Sequence, residues 1–172
     1  MICSINVDIM PSQQLSQGGE SSLEVNPKFL AKTGFVYPIF IQTPSFLCAP
    51  PFSRPPKTLT VMALLDTKSP RTRVSQHIAD ALELIPVGFS KAYTASGIEV
   101  LADYAVDILF PGGGLRGFED LRVSSCDLPY KLDLPYEQST AYTNIGVLIG
   151  RDMMSRWNIT WNGTTSCVFI SE

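Results

Sequence analysis

The chain has 172 residues, of which 45% are hydrophobic and 17% are charged, and its formal net charge is −3. This length suits one ordinary domain, and the apolar fraction is sufficient for a packed core and too high for a disordered chain. No basic stripe is visible, which argues against nucleic acid as the main partner. One histidine and four scattered cysteines argue against a multi-histidine metal site, so we expect neither a metal nor a cofactor.

Residues 1–33 are polar and rich in turn-forming residues, with the run SQQLSQGGESS at their centre. We expect a flexible arm over 1–33 and one folded domain over 34–172. The first ten residues contain Asp8 and lack the basic and apolar regions of a secretory signal peptide. Four prolines interrupt the uncharged stretch 33–53, which excludes a membrane-spanning helix there. A cytoplasmic protein without a membrane partner is therefore predicted.

The four cysteines are spread along the chain and form no CxxC pair, which excludes a zinc ribbon and a thioredoxin-like site. They are Cys3, Cys48, Cys126 and Cys167. Free thiols are the simplest interpretation in a cytosolic protein, and two disulfides are the alternative.

From residue 36 onward, strand-like runs alternate with turns, and this pattern predicts a mainly β domain with two short helices. Runs rich in β-branched and aromatic residues are typical of strands. They cover 36–42, 58–66, 118–125 and 144–150. The proline-rich connector 44–56 cannot form a central strand.

Each predicted helix is about two turns long. The first begins after an N-cap at Ser75, and the second covers 151–157. The apolar stripe predicted for the first helix consists of Ile78, Ala81, Leu82 and Ile85.

Two β-hairpins are also predicted. The first joins 90–95 to 98–110 through a turn at Ser96 and Gly97. The second joins 158–161 to 167–170. Its turn begins with Asn-Gly, which between two strand-like runs is the strongest short hairpin signal.

The chemically informative segment is 63–69, in which an apolar strand leads directly into an acid and two hydroxyl residues. A carboxylate at Asp66 would lie at the rim of the core, where desolvation raises its pKa. The same residue types are also typical of an ordinary Asx or ST turn. The local sequence alone leaves both interpretations open.

A second segment, 147–152, changes that balance because it reads Val-Leu-Ile-Gly-Arg-Asp and leads into a predicted helix. ALLDT at 63–67, followed by Ser69, and LIGRD at 148–152 together resemble the paired motifs of the retropepsin-like aspartic proteases. Thr72 falls where that family often has a threonine. The resemblance covers roughly residues 36–170 and implies a closed, β-barrel-like half-pepsin fold with a flap hairpin.

The resemblance also implies the site residues. Asp66 would be the catalytic acid. The active-site loop would contain Thr67, Lys68 and Ser69, the flap tip Ala95, Ser96 and Gly97, and the second motif Leu148, Ile149, Gly150, Arg151 and Asp152.

The mechanism implied by the resemblance uses two carboxylates that share one proton and activate a water to attack a peptide bond. The chain contains one such motif, so the second carboxylate would be Asp66 of another copy, which a symmetric homodimer supplies. The expected partners are therefore a second copy and a peptide or protein substrate. The C-terminal hairpin is a natural candidate for the dimer sheet.

Lys68 occupies the position at which the family has glycine. A cation within about 4–6 Å would favour ionising both carboxylates and would remove the shared proton near neutral pH. Three interpretations are open: a lysine that points to solvent in a working enzyme, an altered and inactive form, or a natural pseudoprotease that acts as a dimerisation or peptide-binding module. In the family Arg151 would pair with an acid near the loop. Here Pro70 and Arg71 stand in the loop, so an Asp152–Arg71 pair is the alternative.

Overall fold

The computed structural model describes residues 4–5, 34–48, 50, 55–94, 97–128, 145–162 and 167–172. Within these ranges the chain forms ten strands, three short α-helices and one 3₁₀ turn. The strands are β1 (Ser4–Ile5), β2 (Val36–Gln42), β3 (Thr58–Leu65), β4 (Arg73–Ser75), β5 (Gly88–Thr94), β6 (Gly97–Leu109), β7 (Phe118–Cys126), β8 (Ile145–Ile149), β9 (Asn158–Asn162) and β10 (Cys167–Ser171). The helices are α1 (Ser45–Cys48), α2 (Gln76–Ala81) and α3 (Arg151–Met154), and the 3₁₀ turn is Pro111–Gly113.

Seven of these strands form one sheet in the order β2-β3-β8-β4-β7-β6-β5. Strand β2 also pairs with β6, through Phe40 to Gln42, and this pairing closes the first six strands into a barrel. The predicted mainly β class and the closed, barrel-like fold are confirmed. Strand β5, the first arm of the β5–β6 hairpin, remains outside the ring.

The barrel interior is filled by branched apolar side chains from alternate strand positions. Fully buried examples are Ile39, Ile41, Val106, Ile108 and Val147. Strand β8 is buried at all five of its positions, because it lies between β3 and β4.

An edge-to-face aromatic cluster forms part of this core. The ring centroids of Phe110 and Phe118 lie 5.4 Å and 5.9 Å from that of Trp157. Trp157 is buried. Trp161 on β9, by contrast, is half exposed in the single chain.

Both predicted helices are present, and the apolar stripe predicted for the first is confirmed at Ile78 and Leu82 but was wrong at Ala81 and Ile85. The Ser75 hydroxyl caps α2 by accepting a hydrogen bond from the backbone N–H of Ile78 at 3.3 Å. Ala79 and Leu82 are buried in the core and Ile78 packs against it, whereas Ile85 is 56% exposed. The helical period does not extend to position 85, because Glu83 adopts a positive φ of 52° and ends the helical turn.

Helix α1 was not predicted, because it lies within the proline-rich connector. A buried carboxylate on a distant strand holds its first residue. Asp107 accepts hydrogen bonds from the Ser45 backbone N–H at 2.9 Å and from the Ser45 hydroxyl at 2.6 Å. The helix start is thus defined by a long-range contact and not by local sequence preference.

A second, smaller sheet has the order β1-β10-β9. The antiparallel pairing of β9 with β10, from Asn158↔Ser171 to Asn162↔Cys167, confirms the C-terminal hairpin, and its turn at 163–166 lies outside the described residues. Ser4 and Ile5 pair with β10, and the rest of the predicted arm 1–33 lies outside the described residues.

Two of the four cysteines are described with their side chains, and both Cys48 and Cys126 are free. Burial raises the pKa of the Cys126 thiol to about 11, so this thiol stays protonated and unreactive at neutral pH. None of the helices in the described part of the chain has the length and apolar character needed to cross a membrane.

Candidate active site

The two sequence motifs meet because β3 and β8 are parallel neighbours in the barrel. Leu65, the last residue of β3, lies opposite Ile149, the last residue of β8. Since the carboxyl ends of parallel strands meet at one edge of a sheet, the residues that follow them, Asp66 and Gly150, are brought together. The Asp66 backbone N–H donates to the Ile149 carbonyl at 2.9 Å and extends the pairing by one residue.

The carboxylate of Asp66 is held by its own loop. Its Oδ1 accepts from the backbone N–H of Lys68 at 3.0 Å, and its Oδ2 accepts from the Ser69 hydroxyl at 2.6 Å. The backbone N–H of Ser69 donates to the Asp66 carbonyl at 3.2 Å. The turn chemistry that competed with the catalytic interpretation is therefore present, and it fixes the direction of the carboxylate.

The net pKa shift of Asp66 is opposite to the sequence prediction. Burial raises the pKa of the half-buried carboxyl group, as predicted. The hydrogen bonds from the Ser69 hydroxyl and from the Lys68 and Ser69 N–H groups, together with the charge of Arg73, outweigh burial and hold the pKa below its ordinary value of 3.8. In the single chain Asp66 is therefore an ionised carboxylate at neutral pH.

The second motif approaches the first loop backbone to backbone at Gly150. A Cβ atom placed on Gly150 would lie 2.3 Å from the Arg71 carbonyl carbon and 2.6 Å from the Thr72 nitrogen. The residue has φ −90° and ψ 179°, a conformation that other residues adopt easily. Glycine is therefore required at position 150 by close approach and not by backbone conformation.

Asp152 and Thr72 lock the two motifs together. Both carboxylate oxygens of Asp152 accept from the Thr72 backbone N–H at 2.9 Å, and Oδ1 also accepts from the Thr72 hydroxyl at 2.8 Å. The hydroxyl oxygen of Thr72 in turn accepts from the Gly150 N–H at 3.0 Å, and Thr72 is fully buried. The alternative Asp152–Arg71 ion pair is not formed, because Thr72 occupies the carboxylate.

Arg151 contacts the active-site loop by donating hydrogen bonds to the main-chain carbonyl groups of that loop. Its Nη1 donates to the carbonyls of Thr67 and Lys68 at 2.9 Å and 3.1 Å, and its backbone N–H donates to the Ser69 carbonyl at 3.0 Å. No acidic partner is needed for this contact. The sequence offered no signal for it, because main-chain carbonyls are present at every position.

Lys68 is exposed at the centre of this loop. Among the described residues other than glycine, positive φ values occur at Glu83 and Asp120, so the backbone at Lys68 is not left-handed. A glycine is therefore not required there by conformation. Within one chain, the cation that lowers the Asp66 pKa is Arg73, a charged residue on β4 that sequence analysis did not single out.

The predicted β5–β6 hairpin is confirmed, and its role as a flap stays a prediction. Strands β5 and β6 pair from Gly88↔Asp103 to Thr94↔Gly97. Ala95 and Ser96 lie outside the described residues, and Gly97 has a φ of +130° that favours glycine. One face of the hairpin carries apolar side chains that are 62–83% exposed, namely Phe89, Tyr93, Ile98 and Val100.

Two other aspartates are buried, but both are held in structural networks. Asp103 accepts hydrogen bonds from Ser90, Ser124 and Arg122. Asp107 anchors α1 as described above. In the part of the chain that the structure describes, no group of three or more His, Cys, Asp or Glu side chains is placed to hold a metal ion.

Comparison with known proteins gave no match to a family model and no significant match to a curated protein. Among solved structures, the chain is similar to a retropepsin-like aspartic protease from Rickettsia conorii. The two share 12% sequence identity with a TM-score of 0.42, over 80% of this chain and 92% of that chain.

Proposed function

We propose that this protein is a homodimeric aspartic endopeptidase in which Asp66 of each copy supplies one of two catalytic carboxylates. The observation that carries the proposal is the joining of the ALLDT and LIGRD segments at Asp66. Parallel pairing, the Gly150–Arg71 approach and the Thr72–Asp152 bonds all hold one carboxylate loop in place. An ordinary surface turn needs none of these long-range contacts.

Bond cleavage would follow from the chemistry of two adjacent carboxylates. One ionised carboxylate acts as a general base on a water, and the other, protonated, donates a hydrogen bond to the scissile carbonyl. The water attacks the carbonyl carbon, and the proton held by the pair passes to the leaving amine. No covalent intermediate between protein and peptide is formed.

The dimer is required to reach this protonation state. A single loop lowers the Asp66 pKa, so an isolated copy holds no proton near neutral pH. A second carboxylate close to the first raises the pKa of the pair, because two like charges do not both ionise easily. The loop hydrogen bonds and the nearby cations act in the opposite direction, so we expect an acidic optimum.

The substrate would bind in extended conformation between the β5–β6 hairpin and the Asp66 loop, through main-chain hydrogen bonds of the kind that add a strand to a sheet. In this arrangement the backbone supplies affinity, and the side chains that line the cleft select the sequence.

A second function is favoured by Lys68 and by the low pKa of Asp66. With both carboxylates ionised, the same dimer would bind peptides without cleaving them and would act as a peptide-binding or dimerisation module. The two functions differ in one observable property, which is cleavage that depends on Asp66.

The endopeptidase proposal is tested by Asp66→Asn, measured by mass spectrometry of a mixed peptide library at several pH values. The substitution removes the ionisable group, keeps its size, and should abolish cleavage while the protein stays folded. Asp120→Asn is a matched control, because Asp120 is exposed and asparagine tolerates its positive φ of 51°. Cleavage by the Asp66→Asn protein at the wild-type rate would refute the assignment.

Lys68→Gly separates the two functions. It removes the cation and restores the whole family motif, so it should raise activity and shift the acidic optimum upward. Equal pH–rate profiles with good activity would show that Lys68 points to solvent in a working enzyme. No cleavage by either protein from about pH 3 to 8 would favour the binding module.

A further inference from the structure

The loop that carries Asp66 is positively charged, although the protein as a whole is acidic. Residues 66–73 contain Asp66 and three cationic residues, Lys68, Arg71 and Arg73. The second motif adds Arg151 and Asp152, so the two motifs together contain four cations and two carboxylates. Their net charge is +2, whereas the net charge of the whole chain is −3.

The fold presents these cations at the edge of the site. The loop backbone is anchored through Ser69 and Thr72, whose side chains are buried. Lys68 and Arg71, which alternate with these anchors, are exposed. Arg73 is half-buried on β4, within electrostatic reach of Asp66.

Lys68 and Arg71 have no carboxylate partner among the described residues, and the charge of Arg73 acts on Asp66 without forming an ion pair with it. The ion pairs between described residues are Lys57–Glu83 and Arg122–Asp103. The two carboxylates of the site are already engaged, since Asp66 accepts from its own loop and Asp152 from Thr72. An exposed cation that has no carboxylate partner among the described residues is available to an anionic ligand at the proposed peptide-binding site.

We propose that Lys68, Arg71 and Arg73 form a cationic rim that selects peptides carrying Glu or Asp side chains next to the bond to be cleaved. This inference rests on the proposed function, and it adds the class of substrate. Arginine suits the role because its planar guanidinium binds a carboxylate through two parallel hydrogen bonds. In a symmetric dimer the rim occurs twice, so acidic side chains on either side of the scissile bond meet a rim.

The test measures binding separately from cleavage. Three fluorescent octapeptide libraries, identical except for Glu, Gln or Lys fixed at one position, are titrated with the Asp66→Asn protein by fluorescence anisotropy. The Glu library should bind about tenfold more tightly than the Lys library, since several partly exposed ion pairs each contribute modestly. The difference should shrink in about 0.5 M NaCl, which screens exposed charges.

Reversing one charge of the rim tests whether the rim causes the preference for acidic peptides. Arg71→Glu, introduced into the same protein, should reverse the order of the Glu and Lys libraries. Arg116→Glu is the matched control, because Arg116 is an exposed cation on the loop before β7, outside the Asp66 loop, and it should leave the order unchanged. If Arg116→Glu, and not Arg71→Glu, reversed the order of the two libraries, the assignment of the preference to the rim would be wrong.

The outcomes for the rim and for the enzyme are distinct. Cleavage by the wild-type protein without a preference for acidic peptides overturns the rim and leaves the endopeptidase standing. Preference in binding without any cleavage supports the rim and contradicts the endopeptidase. Equal or absent binding of all three libraries overturns the rim.

Discussion

Gly150→Ala tests the contact that joins the two motifs. The added Cβ would lie 2.3 Å from the Arg71 carbonyl carbon, where an ordinary contact is 3.4–4 Å. The carbonyl carbon is a backbone atom and the Cβ is bonded directly to the backbone, so neither can rotate away. The segments that carry Gly150 and Arg71 must therefore separate by about 1 Å. The separation would also weaken the hydrogen bond from the Gly150 N–H to the Thr72 hydroxyl, 3.0 Å long.

The cost follows from these two effects. Overpacking of a well-packed site costs about 1–3 kcal/mol, and a lost buried hydrogen bond costs about 1 kcal/mol. We therefore expect Gly150→Ala to lower the free energy of unfolding by about 2–4 kcal/mol in urea denaturation, without a change in the m-value. Cleavage activity should fall further than the loss of folded protein explains, because the Asp66 loop is displaced.

Gly146→Ala is the matched control on the same strand. Its Cβ would contact the side chains of Ile78 and Val61 at 3.1 Å and 3.2 Å, which are tight but not overlapping contacts. We expect a loss below about 1.5 kcal/mol. If Gly150→Ala were no more destabilising than Gly146→Ala, the argument from backbone approach would be refuted.

The remaining predictions concern the hydrogen-bonded polar groups. Thr72→Val should cost about 1–3 kcal/mol in urea denaturation, because it leaves the Gly150 N–H without its acceptor, and Thr72→Ser should restore most of the loss. Ser69→Ala should raise the pKa of Asp66, measured by carboxyl ¹³C NMR titration, and an unchanged pKa would show that the hydroxyl is not the donor that matters. Hydrogen bonds also hold the pKa of Asp103 below 3.8. The carboxylate of Asp103 therefore stabilises the fold above pH 3.8, and this stabilisation is lost as the pH falls through the folded-state pKa. Asp103→Asn should flatten the acid limb of a profile of stability against pH.

Several features of the fold were predictable because they depend on local pattern. Continuous apolar residues located the buried strand β8, and alternation with a terminal Asn-Gly located the β9–β10 hairpin. The order of the two motifs predicted that Asp66 and Gly150 belong to one site.

The contacts that complete the site were beyond local pattern. Thr72 and Asp152 are 80 residues apart in the chain, and Ser45 and Asp107 are 62 apart, so their bonds depend on how the barrel closes. The predicted direction of the Asp66 pKa shift was wrong for a related reason. Desolvation can be inferred from an apolar strand, but the approach of the Ser69 hydroxyl to 2.6 Å requires the folded loop.

The central claim is that one catalytic unit contains two copies of Asp66, and mixing experiments test it most directly. Wild-type and Asp66→Asn chains are refolded together in varied proportions at constant total concentration, and cleavage is measured at the acidic optimum. If both carboxylates are required, activity should follow the square of the wild-type fraction, so that an equal mixture retains about one quarter. Activity proportional to the wild-type fraction would show that one chain suffices and would contradict the account.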